Sequence, residues 1–359
     1  MLVAFGLMSG IHVSAATADF HDPLDVPAQV STKAAGSLLV GVTQAPGGRW
    51  IAVGRRGHVL YSDDGSSWNQ AVVPVSVDLV AVHFPTKQQG WAVGHGGVIL
   101  HSTDGGQIWQ KQLDGRQLAE LLIDHWKPLA DLATDDDPSA SFALQDAKRL
   151  KEEGPGRPFL DVQFVNDQIG YAIGAYNLLL ETRDAGQHWQ VLSDRADNPG
   201  SLHLNSIRLM NALPYLVGEQ GLLLRNTLSN GRFEPIPTPY EGTWFGLIAH
   251  DQFLLLFGLR GNAYASRDQG QSWSKVDTGS DSTITSGASL ADGRLALVTL
   301  EGELLLSDDT KADRFTSVAI ESPAPFYGVA PAGASAVVTV GAKGVRRIDL
   351  KPPVNQEKH

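Results

Sequence analysis

The chain has 359 residues, 42% hydrophobic and 19% charged, with 38 glycines and 19 prolines, so it can bury a large core and is too apolar for a disordered chain. A formal net charge of −11 excludes a general nucleic-acid binder, which needs a basic face to displace counterions. There is no cysteine, which excludes disulfides, thiolate metal sites and cysteine nucleophiles, and no lipid anchor on a cysteine is expected.

Residues 1–18 read as a signal peptide. An apolar run ends in Ala16-Thr17-Ala18, a small-x-small cleavage pattern before Asp19, although the usual Lys or Arg near the start is missing. The expectation is a periplasmic or otherwise extracytoplasmic protein; the competing reading is a buried N-terminal strand. No other stretch reaches the ~20 apolar residues of a spanning helix.

From residue 37 a pattern recurs: apolar strand, Gly-x-x-Gly, apolar strand, polar turn ending in Trp. The glycine pair stands at Gly54/Gly57, Gly94/Gly97, Gly218/Gly221, Gly258/Gly261 and Gly341/Gly344, with degenerate copies at Gly174/Asn177 and Thr299/Gly302. A tight turn between strands needs positive φ, which glycine adopts freely and asparagine tolerates best after it. Each copy has a further strand upstream, and the first six have one downstream of the polar turn. Four short strands, A to D, thus make the unit. Radial repetition of such units solves the sheet-edge problem, so residues 19–350 are expected to form an all-β, seven-bladed β-propeller of four-stranded antiparallel blades. The seventh copy ends near Leu350 without a strand D. Residues 25–33 are expected to supply it and close the ring.

Eighty residues separate Gly94 from Gly174, twice the usual spacing. They do not hold an extra blade. Leu118, Leu121, Leu122, Trp126, Leu129 and Leu132 recur at helical spacing, with Pro128 expected to kink or split the helix. Asp137-Pro138 reads as the start of a second helix and Gly154 as its stop. A helical insertion after blade 2, residues 116–157, follows. Residues 351–359 read as a disordered tail.

The turns between strands C and D carry S/T-x-D-x-G-x-x-W. It is complete at Ser102/Asp104/Gly106/Trp109, Thr182/Asp184/Gly186/Trp189 and Ser266/Asp268/Gly270/Trp273. The first copy keeps Asp63, Gly65 and Trp68 but places Tyr61 at the hydroxyl position; Phe233 and Phe315 take the Trp place in two degenerate copies. A carboxylate that accepts backbone N–H groups and a Trp that buries apolar surface against the next blade make this a structural turn. A catalytic acid is needed once, whereas this group recurs.

These turns, together with GWAVG…G.IL.STDGG..W, resemble the BNR/Asp-box repeat proteins, and within them the photosystem II stability/assembly factor family. The resemblance covers about residues 37–350 apart from the insertion. It implies a non-enzymatic scaffold that holds membrane-protein intermediates, and in heterotrophic bacteria an accessory to export permeases of the resistance-nodulation-division type. The insertion and the missing anchor cysteine depart from the photosynthetic members.

Strand alternation places the Asp-box turns on one face of a propeller. The Gly-x-x-Gly tips and the insertion lie on the other. Tip residues differ between blades: Arg55, Arg56, His95, Tyr176, Glu219, Arg260, Glu301 and Lys343. Loops on a rigid scaffold carry binding, so these tips are the candidate face for a protein partner, membrane-associated, with the insertion as lid or docking element and the propeller itself a monomer. No catalytic residue, metal, cofactor or nucleic-acid partner is expected. The competing reading is a sialidase-like glycoside hydrolase, for which Tyr240 beside Glu241 is the candidate pair, although neighbours on an extended segment point to opposite faces. The eleven histidines show no H-x-x-x-H or H-x-H spacing, and Asp135-Asp136-Asp137 reads as a solvated capping run.

Overall fold

A computed structural model describes residues 21–350 apart from Leu228, so the signal peptide read at 1–18 and the tail at 351–359 lie outside the described residues. Seven antiparallel sheets follow one another in sequence order, six of four strands and the last of three. Blade 1 shows the plan: strand A Leu39–Gln44, B Trp50–Gly54, C Val59–Ser62 and D Asn69–Gln70. The all-β, seven-bladed propeller read from the repeat is the fold.

Every residue of strands Trp50–Gly54, Gly90–Gly94 and Gly170–Gly174 is buried. A strand covered on both faces by neighbouring blades reads as an unbroken apolar run rather than an alternating one. The core is accordingly shared between blades: Ile51 and Val53 of blade 1 pack with Val82, Phe84, Leu100 and Trp109 of blade 2.

The two glycines of each tip answer different constraints, as blade 5 shows. Gly258 is extended (φ −172°), and a Cβ there would sit 2.0 Å from the Thr243 carbonyl oxygen. Arg260 (φ 56°) and Gly261 (φ 67°) form the left-handed pair that turns the chain, and a Cβ on Gly261 would strike the Ser280 carbonyl at 1.7 Å. Positive φ therefore explains the second glycine; close approach of strand A explains the first. Asn177 (φ 59°) takes the left-handed place in blade 3.

The ring does not close as expected. Blade 7 consists of Phe326–Pro331, Ala336–Gly341 and Gly344–Asp349, and residues 25–33 do not join it. They lie on blade 1 instead. Ala28 N–H donates to the Val73 carbonyl, Ser31 N–H to Gln70 Oε1, and Gln70 Nε2 to the Gln29 carbonyl. Leu24 and Ala28 anchor the segment in the core shared by blades 1 and 2, and Pro23 and Pro27 cannot donate to a sheet ladder. Blade 7 meets blade 1 through packing of their strands A, with the short helical turn Ala34–Gly36 beside Gly344.

The insertion forms two helices, α1 (Gly115–Ala130) and α2 (Ser139–Glu153). Asp114 caps α1 in a reciprocal pair with Gln117, and Leu118, Ala119 and Leu122 are buried against blades 2 and 3. Burial raises the Asp114 carboxyl, but hydrogen bonds from Arg116 and Lys111 outweigh it and hold it at about 2. Pro128 does not split α1: it sits in the last turn, where its missing N–H leaves only the Asp124 carbonyl without a helical partner. Leu132 was expected on the apolar stripe, but the helix has ended by then and Leu132 is 80% exposed. Helix α2 starts after Pro138, with Ser139 N–H donating to Asp137, and stops at Gly154 (φ 97°).

Candidate functional site

The Asp-box turns hold blade to blade. In blade 2, Ser102 Oγ donates to Asp104 Oδ1 (2.9 Å) and accepts the Gly106 N–H (2.9 Å), while Asp104 Oδ1 accepts the N–H groups of Gln107 and Ile108. Thr182/Asp184/Gly186 and Ser266/Asp268/Gly270 repeat this closure. The Ser272 hydroxyl and N–H hold the Asp268 carboxyl at about 2. The tryptophans and their backbone dock on the preceding blade: the Trp109 backbone N–H donates to the Val72 carbonyl while its Nε1 donates to the Gly106 carbonyl in its own turn, Trp273 Nε1 donates to the Pro237 carbonyl, and Trp189 packs with Trp91 and Leu113. Phe233 is buried in the blade 3–4 core and Phe315 in the blade 5–6 core.

Blade 1 departs from the expected register. Its hydroxyl is Ser62 and its carboxylate Asp64, which accepts the N–H groups of Ser66 and Ser67, both at 2.7 Å. This turn is one residue shorter, with Gly65 three rather than four residues after the hydroxyl. Asp63 leaves the turn and pairs with Arg49 at 2.7 and 3.0 Å. Trp68 packs with Val345 of blade 7 and Trp50.

On the opposite face the structure gathers two of the eight tip residues. The Tyr176 ring stands 4.7 Å from the His203 ring and lies under the Arg157 guanidinium at 5.4 Å; His203 Nδ1 is 2.9 Å from Glu219 Oε2. Arg157 is fixed in turn by an ion pair with Asp146 of α2. Arg157 and Tyr176 of this cluster line a cleft of about 1010 Å³ between the insertion and blades 3 and 4. Leu122, Trp126 and Leu129 line its helical side, and Phe142 and Tyr176 stand at its mouth 63% and 58% exposed. His125 Nε2 lies 3.0 Å from Asp194 on the α1 side. Sequence reading missed Arg157, His203, Phe142 and Asp194. Only the single aromatic residue of α2, Phe142, and the cation just after Gly154 were signals.

The other six remain at their own tips. Arg55 lies 3.5 Å from Asp78, whose carboxylate also accepts the Arg56 N–H. His95 sits beside the start of α1, Arg260 is exposed, Glu301 N–H donates to Ser282 Oγ, and Lys343 Nζ reaches the Ser322 carbonyl at 3.4 Å. No hydrogen bond or ion pair joins one of the six to another among the described residues.

Strands A line a central channel of about 420 Å³. Asp161 on its wall accepts from Val162 N–H, Ser206 Oγ, Ile207 N–H and Arg208 Nη1 at 2.7–3.0 Å, joining blade 3 to blade 4. Nearby, His83 Nδ1 accepts the Phe164 N–H (3.1 Å) and Nε2 meets Gln163 (2.9 Å), so both ring nitrogens face inward although part of the residue is exposed. Burial, then the Arg208 charge, lower the His83 pKa from 6.5 to about 4. His83 is thus neutral in the fold while the unfolded chain takes up a proton near 6.5. Its contribution to stability is complete above that value and is lost as pH falls through the folded pKa. Thermal midpoints measured between pH 7 and 4 should decline for the native chain and decline less for His83→Gln; equal slopes would remove His83 as the source.

Tyr240 does not pair with Glu241. Its hydroxyl donates to the Leu259 carbonyl at 3.4 Å and its ring packs near Trp244 and Tyr264, while Glu241 is exposed. Among the described residues no three His, Asp or Glu side chains are placed to hold a metal ion.

A ring of four-stranded repeats locked by Ser/Thr–Asp turns, with its variable residues on the opposite face, defines a BNR-type β-propeller. The family model described as photosynthesis system II assembly factor YCF48 matches residues 60–125 and 155–273, and the chain belongs to that family. The match skips residues 126–154, which form most of the insertion. The photosystem II assembly protein Ycf48 of Thermosynechococcus vestitus is 31% identical over 78 residues, an alignment spanning 20% of this chain and 22% of that protein. A structure of YCF48 bound to a D1 peptide superposes with a TM-score of 0.63 at 15% identity, covering 91% of this chain and all of that one. Virginiamycin B lyase from Staphylococcus aureus, at 11% identity, also gives 0.63 over 90% of this chain and 98% of its own; at such identities the likeness is one of fold.

Proposed function

We propose that this chain is an exported, non-enzymatic scaffold that grips a segment of a protein partner on its tip face, as an assembly or stability factor for a membrane-protein complex. The observation that carries this reading is the cleft between the insertion and blades 3 and 4. It places exposed Phe142 and Tyr176 over an apolar wall, with ionic groups at the rim. Aromatic anchors in a concave, partly polar site supply most of the energy in protein recognition. The solved YCF48 with its D1 peptide supports a polypeptide ligand. Export rests on the apolar leader, and in a heterotroph the complex held would be an export permease.

The test is crosslinked capture from the periplasmic and membrane fractions, with the mature N-terminus sequenced from the same preparation. Processing before Asp19 is expected. Phe142→Ala with Tyr176→Ala should weaken capture of one membrane-associated partner at least tenfold, because each anchor contributes about 1–2 kcal/mol. Both side chains are exposed, so the melting temperature should hold. Undiminished capture by this variant would sink the cleft reading.

A further inference from the structure

Among the described residues blade 7 has one strand fewer than the other six, and the repeat itself marks where a fourth strand belongs. The strand C carbonyls of Val59, Leu179, Leu223 and Ala263 accept N–H groups from Ala71, Leu192, Ile236 and Val276, each just beyond strand D of its own blade. These four acceptors pair across the sheet with Val53, Ile173, Val217 and Phe257, the residues before the first tip glycine. In blade 7 that residue is Val340, and its partner is Val345. The Val345 carbonyl therefore occupies the accepting place, and among the described residues no N–H reaches it. Antiparallel alternation from the Gly341–Gly344 hairpin turns the N–H and C=O groups of Val345, Arg347 and Asp349 outward along the same edge.

The side chains along this edge also break the repeat. The position after the accepting carbonyl is leucine or tyrosine in the other blades (Leu60, Leu100, Leu180, Leu224, Tyr264, Leu305) and Arg346 here, followed by Arg347. Arg346 lies over the Phe326 ring at 4.8 Å and reaches the Ser322 carbonyl; Arg347 is 3.5 Å from Asp349; Lys343 caps the hairpin. Among the described residues three cations thus flank an unpaired strand edge against one carboxylate.

We propose that this edge takes up an extended, acidic segment of a protein partner as the fourth strand of blade 7. Backbone hydrogen bonds along an edge supply affinity, and alternate side chains supply choice of partner. Cross-strand acid–base pairs with Arg346 and Arg347 select an acidic segment. A second copy of this chain would set these arginines against their own copies. Residues 351–359 carry Lys351 and Lys358 against Glu357, and Pro352 and Pro353 have no N–H to give. The edge belongs to blade 7 and the cleft to blades 3 and 4, so either assignment can fail alone.

Arg346 and Arg347 are successive strand residues on opposite faces, so the probe is a labelled ten-residue peptide of adjacent glutamate pairs set among valines, added to the full chain and followed by fluorescence anisotropy and by amide hydrogen exchange. Exchange should slow at Val345, Arg347 and Asp349. The same peptide with lysine for glutamate should bind at least tenfold more weakly. A peptide N-methylated at alternate residues, which leaves the protein untouched, should lose binding. Arg346→Glu with Arg347→Glu should reverse the preference, while Phe142→Ala with Tyr176→Ala should not alter it. Equal binding of both peptides, or none, would overturn the proposal and leave the arginines as guards of a free edge. So would protection of these amides before peptide is added, lifted either by dilution or by removing residues 351–359.

Discussion

Trp91→Ala should destabilise the protein by about 3–5 kcal/mol, the range for a large aromatic truncated inside a packed core. Trp91 is fully buried in strand B of blade 2. Its ring stacks on Phe164 of blade 3 at 3.6 Å and on His101 at 4.4 Å. Its Nε1 donates to Gln112 Oε1 (3.1 Å), and Gln112 Nε2 donates to the Ala185 carbonyl in the Asp-box turn of blade 3 (2.8 Å). Truncation would open a cavity at a blade joint and leave the Gln112 oxygen without its donor. Trp91→Phe keeps the stack and loses only the hydrogen bond, so it should cost about 1–2 kcal/mol. Urea unfolding midpoints would rank the three proteins. A loss below about 1 kcal/mol for alanine would mean that the joint closes up around the gap.

The blade count was legible because most tips meet the same two constraints, close approach at one glycine and a left-handed turn at the other, with Thr299 in the first place in blade 6 and Asn177 in the second in blade 3. Gly54, Gly94, Gly174, Gly218, Gly258 and Gly341 all face the carbonyl of the residue just before strand A. The Asp-box turns were legible where the hydroxyl-to-glycine spacing is four residues. Blade 1 hid its register behind Asp63-Asp64, since either carboxylate fits a loose pattern and only the shorter turn selects Asp64. Ring closure was misread because an apolar segment before the first blade can serve either neighbour; Leu24 and Ala28 commit it to blades 1 and 2. Of the tip cluster only Tyr176 and Glu219 were legible, as tip residues, and their partners were not. Arg157, Tyr176, His203 and Glu219 come from a crossover, two tips and a strand entry, and only the packing of α2 against blade 3 brings Arg157 over the tyrosine. The same holds for the channel, where Asp161 of blade 3 meets Arg208 of blade 4 across a joint that no local pattern announces.

That channel pair carries the second large effect: Asp161→Ala should destabilise the fold by about 2–3 kcal/mol. Its carboxylate is nearly buried and collects four donors, three of them from blade 4. The Ile207 N–H and the Ser206 hydroxyl both donate to it across the joint, so without the carboxylate these two donors are stranded. A buried donor without a partner costs about 1–3 kcal/mol. Removing one member of a buried ion pair costs about 3–5 kcal/mol, but the Arg208 side chain is 40% exposed to the channel and water will screen it, which lowers the figure. Asp161→Asn keeps an acceptor for the Ile207 N–H and should lose about half as much. Arg208→Ala added to Asp161→Ala should cost less than the sum of the two single changes, because the second removes a charge that the first has orphaned. A double-mutant cycle in urea would read this coupling directly. Strict additivity would show that Asp161 holds the joint through Ser206 and Ile207 alone and that the arginine serves only the channel.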